Sequence, residues 1–150
     1  MRVLFVCTGN TCRSCMAEAI FNQISTLDGV EAISAGIAVI PGSKTSKNTV
    51  TLIKDNFLID LSDRKAVQLE EEMLKECDLI LTMTGYIRDA LIGRFPQYSD
   101  KLFTLNEYVE LKEDIVDPYG GELKVYKKTF DILKKSIDLL LNKIKEDNGI

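Results

Sequence analysis

Two stretches of the chain, Val3-Leu4-Phe5-Val6 and the Leu79-Ile80-Leu81 core of Asp78–Met83, are apolar at every consecutive position. A strand without a polar face has to be covered on both sides, which is the condition of a parallel sheet lying between helices. The rest of the chain supplies those helices. Ser14 to Thr26 carries Met16, Ala17, Ile20, Phe21 and Ile24 at helical spacing, and Thr45 to Asn56 has Val50 and Ile53, with Phe57 just beyond, at the same spacing. Further helices are predicted over 68–76, 86–94 and, as a long amphipathic element, 122–145, where Val125, Phe130, Leu133, Ile137, Leu140 and Ile144 form the apolar stripe. Strands are predicted at 2–6, at 30–34 with Ala35-Gly36 closing it, at 78–83 as a central strand, and at 101–105. Strands alternating with helices predict an α/β fold in one domain over 1–150, with a parallel sheet flanked by helices on both faces. In such sheets ligands bind beyond the carboxyl ends of the strands. Cys7, Ser34, Met83 and the loop holding Asp117 all follow predicted strands, so they are expected on one rim.

Composition removes many activities. The chain has no histidine, so a Ser-His-Asp triad, a Cys-His pair and a histidine metal site are all excluded. Formal charge is −4 with both signs interspersed, so nucleic acid is not an expected partner. The four cysteines, at 7, 12, 15 and 77, fit neither a secreted disulfide framework nor a paired zinc spacing, and no metal is expected. No apolar run approaches the ~20 residues of a membrane span, and no leader pattern opens the chain. A cytoplasmic protein without membrane contact is expected.

The chemistry is concentrated where the first strand stops, in Val6-Cys7-Thr8-Gly9-Asn10-Thr11-Cys12-Arg13-Ser14. A loop entering a helix offers free backbone N–H groups to an anion, and the helix dipole favours negative charge there. Gly9 is free to take a positive φ, Asn10 tolerates it, and the small side chains of Thr8 and Thr11 let the backbone curl around a tetrahedral oxyanion. Arg13 adds the planar donor fork that suits two phosphate oxygens. Cysteines at helix N-termini or beside cations ionise readily, so Cys7 is expected to serve as a thiolate without histidine. Ser14 is close enough in such a loop to donate to the sulfur. These parts describe nucleophilic attack on phosphorus. The leaving atom then needs a proton, for which Asp117, before Pro118 in a turn-rich segment, is the chosen donor.

The same run, continued by Met16-Ala17-Glu18-Ala19, with Ser34-Ala35-Gly36 and Asp117-Pro118 further on, resembles the low-molecular-weight protein tyrosine phosphatase family over essentially the whole chain. The resemblance implies a four-stranded parallel sheet and a cysteine phosphatase in which Cys7 forms a phosphocysteine that water hydrolyses. Asp117 serves both steps, Arg13 clamps the phosphate together with the loop from Thr8 to Ser14, and Asn10, tied to Ser34 and Ser14, holds the loop's shape. No metal or organic cofactor is implied. The family's redox partner for Cys7 corresponds to Cys12. Cys15, standing where the family usually has proline, adds a third thiol and leaves the pairing open between Cys12 and Cys15.

A branch of that family acts on phosphoarginine, and the chain is similar to it at Thr11, where tyrosine phosphatases usually carry isoleucine, and at Tyr119-Gly120-Gly121, where they usually carry two aromatics. A hydroxyl on the pocket wall suits a guanidinium better than an aryl ring does, and Asp117 can pair with that cation before protonating the scissile nitrogen. The expected activity is therefore a monomeric protein arginine phosphatase with phosphorylated proteins as substrates. The alternative is a phosphotyrosine phosphatase with Tyr119 as one aromatic wall. Arsenate reductase is less compatible, because such enzymes relay a disulfide through cysteines after the third strand, and Cys77 precedes it. A binding module that lost the chemistry would not need Cys7, Arg13 and Asp117 together.

Overall fold

A computed structural model describes residues 1–149, so the domain boundary expected at 150 lies outside the described residues. Four parallel strands form one sheet in the order β2-β1-β3-β4: β1 Arg2–Cys7, β2 Glu31–Gly36, β3 Leu79–Thr82 and β4 Leu102–Thr104. The helices are α1 Arg13–Ile24, α2 Lys47–Phe57, α3 Glu71–Glu76, α4 Gly85–Arg94, α5 Leu105–Tyr108 and α6 Leu123–Asp147, with a 3₁₀ turn at Pro96–Lys101. None of the described helices is long and apolar enough to cross a membrane.

The period of two along β1 decides which side of the sheet each residue serves. Leu4 and Val6 pack with Leu74 of α3 and with Ile87 and Leu91 of α4. Val3, Phe5 and Cys7 point the other way, into a core built from α1, α2 and α6. Cys7 therefore lies on the same face as α1. Phe5 meets Phe21 of α1 edge to face with ring centroids 5.9 Å apart, a contact worth about 0.5–1.5 kcal/mol beyond burial. This pins α1 against β1 immediately behind the loop that joins them.

The structure departs from the sequence expectations where local hydrogen bonds override periodicity. Ala35 and Gly36 do not close β2 but belong to it, opposite Val6 and Cys7, so Ser34 sits inside the strand opposite Phe5. The helix expected from 68 begins at Glu71, because Val67 and Leu69 exchange backbone hydrogen bonds with Gly36. The fourth strand stops at Thr104, whose side chain accepts from Glu107 N while the Glu107 carboxylate accepts from Thr104 N. That reciprocal capping box starts α5 at Leu105, a helix not foreseen. In α6 the stripe begins with buried Tyr126, and Val125 is substantially exposed.

Candidate active site

Cys7 ends β1, and residues 8–12 turn the chain into α1. The left-handed residue of this turn is Asn10, at φ 56°, whereas Gly9 is not among the residues with positive φ. An asparagine held there costs about 1–3 kcal/mol of strain, which its side-chain bonds offset. Its Nδ2 donates to Ser14 Oγ at 2.7 Å and Ser34 Oγ at 3.0 Å, and its backbone N–H lies 3.2 Å from Cys7 Sγ. Ser14 Oγ is 2.8 Å from the same sulfur. Gly36 forms the floor of the turn: a Cβ there would come within 2.5 Å of Thr8 O and 3.0 Å of Asn10 N. Ile37 N and Ala38 N donate to the carbonyls of Cys7 and Thr8, both at 3.0 Å, and fix the turn to the segment after β2.

Arg13 is buried, with Nη1 donating to Ile115 O at 3.0 Å and Nη2 3.7 Å from Asp117 Oδ2. The first backbone bond of α1 runs from Met16 N to Cys12 O, leaving the earlier N–H groups available to an anion as at any helix N-terminus. A buried cation with one carboxylate at this distance is under-neutralised and favours an incoming anion. The Asp117 loop is anchored from both sides. Ile115 N donates to Met83 O at 2.9 Å, Asp114 Oδ1 accepts from Gly85 N at 3.0 Å, and Asp117 Oδ1 itself accepts from Tyr119 N at 3.0 Å.

Nearly every residue singled out from the sequence lines one cavity of about 440 Å³: Cys7, the stretch from Thr8 to Arg13, Asp117 and Tyr119. That space admits a phosphorylated side chain. Ser14, Ser34 and Cys15 are buried and lie outside that lining. Among the described residues Asp117 is the only carboxylate on the cavity wall, and half of its side chain is exposed. Tyr119 and Ile40, 81% and 74% exposed, stand at the mouth. Among the described residues no group of three or more His, Cys, Asp or Glu side chains is placed to hold a metal ion.

The other thiols differ in setting. Cys12 Sγ lies 3.4 Å from Ser46 Oγ and 3.6 Å from the Tyr126 hydroxyl. Burial, reinforced by Cys12, pushes that hydroxyl up to about 12, so Tyr126 is a neutral group. Cys15 is fully buried and donates to Cys12 O at 3.3 Å, and burial pushes its thiol up. Sequence reasoning missed Tyr126, Ser46 and Lys44 on the wall, and Arg64 and Glu18 behind the loop. Glu18 stood in the run Met16-Ala17-Glu18-Ala19 without a role, and Arg64 carried no motif signal, since the two meet only through the fold.

Residues 2–149 match the family described as low molecular weight phosphotyrosine protein phosphatase. The chain is 37% identical over 150 residues to a protein-arginine-phosphatase of Bacillus subtilis (strain 168), covering 98% of this chain and 99% of that one. It is 40% identical to a protein-arginine-phosphatase of Geobacillus stearothermophilus, over 97% of each chain. A solved structure of a low molecular weight protein tyrosine phosphatase from T. tengcongensis is 49% identical and superposes with a TM-score of 0.90, covering 95% of this chain and 99% of that one.

Proposed function

The chain belongs to the low-molecular-weight phosphotyrosine protein phosphatase family, whose members are cysteine-based phosphatases, and on that premise we propose that it hydrolyses phosphoarginine in proteins with Cys7 as the nucleophile. The observation that carries the substrate reading is Thr11, a hydroxyl on the wall of the cavity that Cys7, Arg13 and Asp117 also line. The two relatives named protein-arginine-phosphatase support it.

In this reading the phosphoryl oxygens rest on the N–H groups at the start of α1 and on the Arg13 fork. Cys7 Sγ attacks phosphorus in line with the P–N bond, and Asp117 gives its proton to the departing guanidine nitrogen. The S–P bond forms as the P–N bond breaks. Asp117, now a carboxylate, then takes a proton from the water that attacks the phosphocysteine, and the sulfur leaves as a thiolate stabilised by Ser14 and Asn10 N–H. Before the first step the Asp117 carboxyl group and the Thr11 hydroxyl offer acceptors to the guanidinium. Phosphotyrosine is the second reading, favoured by Tyr119 at the mouth and by the T. tengcongensis likeness.

Cys12 is the proposed redox partner of Cys7. It lies on the cavity wall, whereas Cys15 is sealed in the core with its thiol committed to Cys12 O. A Cys7–Cys12 disulfide would shield the nucleophile from irreversible oxidation.

Turnover on a phosphoarginine peptide and a phosphotyrosine peptide, side by side, tests the substrate assignment. Wild type is expected to prefer phosphoarginine, and Thr11→Ile to shift the kcat/KM ratio toward phosphotyrosine by about 10–100-fold, the scale of one altered pocket contact. Faster release from phosphotyrosine by wild type, or an unchanged ratio in Thr11→Ile, contradicts this reading.

A further inference from the structure

The hydrogen bonds behind the loop run in one direction, and groups that can only donate set it. Val67 N–H and the Arg64 guanidinium both end on Asn10 Oδ1, at 2.9 and 3.1 Å. The carboxamide oxygen must therefore face them, which turns Nδ2 toward Ser14 and Ser34. Ser34 Oγ receives a second donor, Arg64 Nη2 at 2.9 Å, and its own proton goes to Glu18 Oε1 at 3.0 Å. Ser14 Oγ accepts from Asn10, so its proton is not drawn to the carboxamide and is free for Cys7 Sγ, which as a thiolate can only accept. The sulfur thus receives two donors, Ser14 O–H and Asn10 N–H, and an atom that accepts twice is stabilised as an anion.

We propose that Arg64, braced by Glu18, is a positioning residue for phosphoryl transfer: it fixes the Asn10 carboxamide so that Ser14 donates to the Cys7 sulfur. Arg64 is outside the cavity lining and acts from behind the loop. Its planar fork serves two acceptors at once, Asn10 Oδ1 through Nη1 and Ser34 Oγ through Nη2, which a lysine cannot do. Glu18 lies 3.6 Å from the same guanidinium and fixes its orientation. The backbone holds Arg64 in register, with Arg64 O accepting from Thr45 N and Arg64 N donating to Leu61 O, both at 3.1 Å. Around the loop the charged groups are Arg13, Asp117 and Lys44 on the cavity side and Arg64 and Glu18 behind; the last two reach the sulfur through this chain of side chains.

The inference rests on Cys7 being the nucleophile, and its test does not need turnover. Alkylation of Cys7 by iodoacetamide, located by peptide mass spectrometry, is followed against pH in wild type, Arg64→Met and Arg64→Lys. Arg64→Met is expected to alkylate about tenfold more slowly at pH 7 while matching the wild-type plateau at high pH, with Arg64→Lys between the two. On phosphoarginine, kcat should fall with KM little changed. A wild-type profile in folded Arg64→Met overturns the proposal, as does an equal loss at neutral and high pH, which would mean altered access only. If Arg64→Met does not fold, Glu18→Gln carries the test: a fall of about threefold at pH 7 with the plateau kept supports it, and an unchanged profile overturns it. Full activity in Cys7→Ser would overturn the function reading and Arg64's part in phosphoryl transfer with it, an outcome told apart from the others because the alkylation profile would still shift in Arg64→Met.

Discussion

Replacing Asp117 by asparagine separates the proton donor from everything else the site does. The side chain keeps its shape, and the amide oxygen can still accept from Tyr119 N, the 3.0 Å bond that shapes this turn. The ion pair lost is long, 3.7 Å to Arg13, and half exposed on the Asp117 side, so folding should lose at most about 1 kcal/mol. Catalysis should lose far more, because a positioned general acid supplies about 10²–10⁴-fold, or roughly 3–5.5 kcal/mol of barrier. The size of that loss depends on the leaving group. A guanidine expelled from phosphorus has to be protonated as the P–N bond breaks, whereas 4-nitrophenolate departs with little help. The first step, followed as leaving group released in a single turnover, is therefore expected to slow by about 10²-fold or more on a phosphoarginine peptide and by less than about tenfold on 4-nitrophenyl phosphate. Steady-state turnover of both also loses the base of the second step. Thermal melting of the same samples should show a fold close to wild type. Equal first-step losses on both substrates, or a first-step loss below about threefold on phosphoarginine, would refute Asp117 as the donor.

Gly36→Ala pushes a Cβ to 2.5 Å from Thr8 O and 3.0 Å from Asn10 N, both backbone atoms of the loop, so the loop itself must move. About 1–3 kcal/mol of stability and at least tenfold in kcat should be lost, and a variant with wild-type kcat would contradict the tight floor described here. For Glu107, burial pushes the carboxyl up, but Thr104 N–H and the Arg88 guanidinium outweigh it and hold the group below the usual carboxylate range. A carboxylate held low stabilises the fold above its unfolded-state range and loses that contribution as pH falls through its folded value. Glu107→Ala, partly exposed and hence discounted, should cost about 0.5–1 kcal/mol at pH 7, or about 1–4 °C in Tm, with the gap closing below about pH 4. A gap that widens in acid would reverse that linkage.

The reacting groups were legible because they are local. Cys7, Arg13 and Ser14 sit on one strand-loop-helix unit whose geometry any parallel α/β fold imposes, whereas Asp117, one of 23 acidic residues, was singled out in part by the family likeness of Asp117-Pro118. The face on which Cys7 lies was not legible, because β1 is apolar at every position from Val3 to Cys7 and only the packing of Val3, Phe5 and Cys7 assigns it. What the sequence hid depends on contacts made only after folding. Arg64 is one of 19 basic residues, and it lies 54 positions from Asn10, so nothing local marked it. The left-handed turn fell on Asn10, not Gly9, because the Asn10 side chain has partners and a glycine has none. The capping box Thr104-x-x-Glu107 was a readable signal for α5 that the strand reading of 101–105 concealed. Tyr126, not Val125, heads the stripe of α6 because it lies four residues before Phe130, and there its hydroxyl is 3.6 Å from Cys12 Sγ.

The claim on which the mechanism depends is that phosphorus is transferred to the sulfur at the end of β1. Turnover of a phosphoarginine peptide by Asp117→Ala, quenched within the first catalytic cycle and mapped by peptide mass spectrometry, tests it directly. The account predicts one phosphoryl group on Cys7, absent in Cys7→Ser samples that also release no phosphate. A first cycle that releases phosphate with no phosphorylated Cys7, or phosphate release by Cys7→Ser at the wild-type rate, would contradict it.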